Sequence, residues 1–147
     1  MNKKVNFGKP YQIMFAIGSI QGLLIIIWWL WELSILFFDF PSLISEEIPP
    51  LWAHIILMIY TFFPIYIFGF LMTAYPVWLQ SKPISINEVF PISIILVLGI
   101  LITNIGLSSS KFIFLLGISF FAIAWLSSIR LLFGIFKNAK KKKIIFL

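Results

Sequence analysis

The sequence predicts an all-α, polytopic membrane protein: four transmembrane helices in a bundle, with both termini cytoplasmic. Three observations predict it. Of 147 residues, 61% are hydrophobic and only 11% are charged, far from the balance of a soluble domain. The apolar residues gather into four long runs rather than one core-sized patch, and each run is long enough for about 30 Å of hydrocarbon. The lysines fall almost wholly on one side of these runs, which the positive-inside rule makes the cytoplasmic side. Strands do not compete, because an open sheet leaves unpaired edges in lipid.

The spans run over Ile13–Phe37, Leu51–Ala74, Phe90–Leu107 and Phe112–Phe136. The start, "MNKKVNFGKPYQIMF", is basic like a signal peptide. However, the apolar run behind it is too long and lacks a small-residue cleavage site, so a retained first helix is expected. The first link, Asp39–Pro50, is acidic and bounded by proline. The second, Pro76–Glu88, carries two prolines and one lysine. Ser108–Lys111 reads as a tight turn, and the tail from Lys137 as basic and loose. Lys3, Lys4, Lys9, Lys82, Lys137 and Lys140–Lys143 share one side, with Arg130 near it. Lys111 is alone on the other, beside Asp39, Glu46 and Glu47. A single four-helix domain over residues 1–147 is expected, multi-pass in a bacterial inner membrane. The expected surroundings are the lipid bilayer and either a homo-oligomer or a larger membrane complex.

Composition closes several classes of chemistry. There is no cysteine, so disulfides, thiolate metal sites and thiol catalysis are excluded. One histidine and five acids do not make an all-protein metal cage within one chain. The net charge of +6 lies largely in the tails, which reads as membrane topology and not as nucleic-acid binding. The Lys140–Lys143 run anchors the last helix, a role compatible with contact to anionic lipid.

His54 is the only histidine, in a run without acid or base. It lies roughly 5–6 Å inside the second span at 1.5 Å per residue. Glu32 and Asn104 come near the same end of the first and third spans. Polar groups at that depth face other helices or an aqueous cleft. In the first span Gly18, Gln21, Ile25, Trp28 and Glu32 share a face; in the second, His54, Met58, Thr61, Ile65, Gly69 and Met72; in the fourth, Gly117, Phe121, Ala124 and Ser128. Pro64 removes a donor and frees the carbonyl of Tyr60, so a kink is expected there. Each polar residue also has a plainer role: Glu32 snorkels to the interface, Asn104 ties two helices, and Met58 and Met72 pack. Trp31, Trp52, Tyr75 and Trp78 form an interfacial belt.

The string "GFLMTAYPVW" (Gly69–Trp78) resembles the "GFLLTAVPNW" signature of the NnrS family, polytopic membrane proteins linked to haem, copper and nitric-oxide metabolism. Upstream that family reads "WHAHEM". Gap-free alignment puts His54 on its first histidine and Met58 on its methionine, while Ile56 and Leu57 stand where its second histidine and glutamate would be. "FGKPYQIMFAIGSI" is similar to the family's "GFRPFF" opening, with Pro10 and Phe15 in step, and Lys82-Pro83 is similar to its Arg-Pro. The resemblance runs from the start of the chain to roughly Phe90 and corresponds to the N-terminal third of such proteins. A looser similarity links the second span to the haem-bearing second helix of haem–copper oxidase subunits.

What the resemblance implies is a haem-binding protein of nitrosative-stress response or respiratory electron transfer. His54 would be the haem or metal ligand. Glu32 would accept the other ring N–H and set the tautomer. Met58, one turn below on the same helix, cannot reach the opposite face of the same iron, so a second ligand would come from another chain or the site would stay open. The alternative is a non-enzymatic accessory subunit that stabilises a larger respiratory or transport complex. A transporter has less support, because Glu32 is the only acid within a span and no inverted repeat is evident.

Overall fold

The computed structural model describes residues 9–38 and 40–145, apart from the side chains of Leu36 and residues 140–145. The expectations placed on Lys3, Lys4, Asp39 and the Lys140–Lys143 side chains lie outside the described residues. The elements are α1 (Pro10–Phe38), α2 (Pro50–Ile56), a π-helical turn (Leu57–Phe62), α3 (Phe63–Trp78), α4 (Ile86–Ser109) and α5 (Lys111–Ile145), with no strand among the described residues. Four helical stretches are long and apolar enough to cross a membrane: Pro10–Ile35, Pro50–Trp78, Ile86–Ser109 and Lys111–Ala139. The second of these joins α2, the π turn and α3.

The helix ends follow from local chemistry. Pro50 opens α2 at its first position, where the missing N–H costs nothing. Ser85 and Glu88 form a reciprocal capping box at the start of α4, with the Ser85 N–H donating to Glu88 Oε2 at 2.8 Å. α3 closes with the paired bonds of a Schellman end: Ser81 N–H to Pro76 O at 2.9 Å and Gln80 N–H to Val77 O at 3.1 Å. Gln80 takes φ 49°, the left-handed conformation this closure requires. A single residue, Ser110, joins α4 to α5, and its hydroxyl accepts the Phe112 N–H at 3.2 Å. The basic tail departs from expectation. It continues α5 as far as Ile145, since Asn-Ala-Lys-Lys-Lys-Lys contains no breaker and lysines suit a helix C-terminus.

The link over residues 40–49 folds onto the α4–α5 turn. Ser45 N–H donates to Leu107 O at 2.7 Å, and Lys111 N–H donates to a Glu47 carboxylate oxygen at 3.0 Å. This places the two links predicted to share a side at one end of the bundle, here the Ser110 end.

Packing uses the faces expected from periodicity. Gln21, Ile25, Trp28 and Glu32 are buried on α1; Thr61, Ile65 and Met72 on the second span; Phe121, Ala124 and Ser128 on α5. Small residues set the approach. A Cβ at Gly18 would come within 2.8 Å of the Tyr66 ring, and one at Gly69 within 2.8 Å of Met14 Cβ, so α1 and α3 lie in close contact. One apolar cluster joins Met14, Ile65, Leu96 and Phe121; a second, towards the Ser110 end, joins Ile25, Trp28, Leu57, Leu107 and Phe114.

Candidate functional site

His54 sits on the second turn of α2, and its ring stacks on the indole of Trp29, with centroids 4.1 Å apart and planes 17° from parallel. The side chain is half-buried. Its Nδ1 is buried and has no hydrogen-bond partner. Buried polar atoms of this kind are uncommon and call for an explanation. The neighbours Leu51 and Trp52 are exposed, so α2 shows an open flank beside the imidazole.

Glu32 is buried as expected but is engaged elsewhere. Its carboxylate accepts the Leu43 N–H at 3.0 Å and the Ser42 hydroxyl at 3.1 and 3.3 Å. No direct hydrogen bond joins it to His54. The reason is helical phase. Glu32 shares the stripe of Ile25 and Trp28, whereas His54 packs against Trp29, about 100° round the helix from Trp28. The backbone of the 40–49 link then claims the carboxylate, because a loop folded against the bundle must satisfy its donors. Asn104 likewise bonds within its own helix, to Ile100 O at 2.8 Å.

Sequence reasoning missed a polar assembly below His54. Gln21 donates from Nε2 to Thr61 Oγ1 at 3.0 Å, and Thr61 donates to Leu57 O at 2.5 Å. Gln21 Oε1 is buried without a partner. On the other flank, Trp125 Nε1 donates to Tyr60 O at 3.1 Å. Both contacts grip the π turn, which lies where the kink was expected. In an α path the Pro64 ring would clash with the Tyr60 carbonyl, and widening the turn moves that carbonyl aside. The signal for the grip was Pro64, but nothing local named Trp125 as the donor.

Among the described residues no three His, Cys, Asp or Glu side chains gather to hold a metal ion. The one side chain of the expected site that could serve as an axial ligand to a haem iron is the imidazole of His54. Met58 is half-buried one turn along the same helix, and Leu57, standing where the family motif has glutamate, is core at 1% exposure.

Fold and site together define a polytopic α-helical membrane protein that presents one stacked, half-buried imidazole near the Ser110 end. The chain belongs to the NnrS family: the model of the NnrS protein matches residues 6–147. The match continues past Phe90, where the sequence resemblance ended, and takes in α4 and α5. No curated protein and no solved structure matches the chain.

Proposed function

We propose that this NnrS-family chain is a haem-binding membrane protein of the nitrosative-stress response or of respiratory electron transfer, in a bacterial inner membrane with both termini cytoplasmic. The observation that supports the reading is a half-buried imidazole, the one histidine of the chain, held flat on Trp29 beside the exposed Leu51 and Trp52. Haem bound there would supply a redox-active iron. The chain's own part is to hold the imidazole: Trp29 restricts the ring, and Ala53 and Leu57, both buried, fix the helix that carries it. The open flank at Leu51 and Trp52 makes the edge of the bundle the natural place for a second chain to complete the site, as a second copy or as part of a larger complex. A pyridine haemochrome assay on the purified full chain tests the reading. A Soret band lost in His54→Ala supports it, and colourless protein from haem-replete cells overturns it.

A second reading has its own observation. Glu32 is committed to the 40–49 link, and Leu57, at the motif's glutamate position, serves core packing. A non-enzymatic accessory subunit that stabilises a larger membrane complex would look like this. Co-purification of a stoichiometric partner with colourless protein would favour it.

A further inference from the structure

α4 and α5 are in tight contact at one end and part at the other. A Cβ at Gly106 would collide with the backbone of Ile113 and Phe114, and one at Gly117 with Thr103, whereas one at Gly134 would meet nothing within 4 Å. The parting leaves a groove of about 500 Å³ lined by Glu88, Pro91, Ile92, Arg130, Leu131 and Asn138, among others. Glu88 lies 21 residues before Ser109, and Arg130 lies 19 residues after Lys111. At 1.5 Å per residue both are about 30 Å from the Ser110 turn, one hydrocarbon thickness away. The two charges therefore stand at headgroup level, above a floor of Ile92 and Ile95 on the membrane side of α4.

The charges are opposite, and neither is spent on the other. Glu88 caps its helix through Oε2 alone, accepting Ser85 N–H at 2.8 Å and Ser85 Oγ–H at 2.9 Å, which leaves Oε1 open. Arg130 is exposed and has a guanidinium suited to phosphate. A purely anionic headgroup would meet Arg130 but be repelled by Glu88. A headgroup with a phosphate and a primary ammonium matches both.

We propose that this groove is a binding site for a zwitterionic phospholipid with a primary amine, of the phosphatidylethanolamine type. Arg130 donates to the phosphate, Glu88 Oε1 accepts from the ammonium, and an acyl chain lies along Ile92 and Ile95. The site is independent of His54. Native mass spectrometry of the delipidated full chain, incubated with equimolar phosphatidylethanolamine, phosphatidylcholine and phosphatidylglycerol, tests it. A choline headgroup keeps both charges but has no N–H to donate, so retention of phosphatidylethanolamine should exceed that of phosphatidylcholine about tenfold, the scale of one charged hydrogen bond. Glu88→Gln keeps the capping box and should erase that preference. Arg130→Gln should weaken both zwitterionic lipids alike. Equal retention of the two by the unaltered chain, strongest retention of phosphatidylglycerol, or unchanged retention in Arg130→Gln would each overturn the proposal.

Discussion

Trp125 Nε1 donates to the carbonyl oxygen of Tyr60 at 3.1 Å, and that carbonyl is the one Pro64 leaves without its α-helical donor. In lipid no water stands by to replace the lost bond, so a side chain 65 positions away in sequence supplies it. The same indole stacks on Phe68 of α3, with centroids 5.2 Å apart and planes 14° from parallel. One residue of α5 thus clamps both sides of the proline.

Trp125→Phe keeps an aromatic face for Phe68 and removes only the donor. It should destabilise the bundle by about 1–3 kcal/mol, the cost of an orphaned buried acceptor. Reversible unfolding in mixed micelles reads this out, and an unchanged midpoint would show that the carbonyl is satisfied some other way.

Gly69 and Ile67 lie two residues apart on opposite surfaces. Any side chain at Gly69 meets Met14 Cβ at 2.8 Å, while Ile67 is 54% exposed towards lipid. Gly69→Leu should therefore separate α1 from α3 and cost 3 kcal/mol or more by order of magnitude, at or above the usual overpacking range of about 1–3 kcal/mol. Ile67→Leu should stay within about 0.5 kcal/mol. Equal effects of the two substitutions on folded yield would contradict the interface.

Ser45 and Ala139 belong to opposite ends of the bundle. Ser45 is tied to Leu107 at the Ser110 end, and Ala139 closes the fourth span. With the lysine bias setting orientation, Ser45→Cys should label from the outer side and Ala139→Cys from the cytoplasmic side. Labelling of both from one side would refute the topology.

The bundle was legible because its inward faces are marked by residues lipid does not favour. Gly18, Gln21 and Glu32 on α1, and Thr61 and Gly69 on the second span, identified the buried stripes, and all are buried. The site was less legible. Trp29 reads as any apolar residue on a helix apolar all round, so its stacking on His54 has no periodic signal. The partner of Glu32 lies in a link whose path depends on where α4 and α5 turn. The π turn was anticipated only as a disturbance at Pro64, because Leu-Met-Ile-Tyr-Thr-Phe has nothing in its composition that separates a π from an α path.

His54 and Glu32 make separate contacts, so they should act separately. His54 loses its stack with Trp29 when truncated, and Glu32 loses one backbone and one hydroxyl donor from the 40–49 link. Glu32→Gln should cost about 1–3 kcal/mol by leaving loop donors poorly matched, and it should raise protease sensitivity within that link. In a double-mutant cycle with His54→Ala the coupling should stay below about 0.5 kcal/mol. If the imidazole is the haem ligand, His54→Ala removes the Soret band while Glu32→Gln leaves its position unchanged, because the carboxylate bonds the 40–49 link and not the ring directly. A coupling well above that limit, or a Soret shift in Glu32→Gln, would mean that the two groups communicate through a bridging water, and the carboxylate would then have the tautomer-setting role that the sequence first suggested.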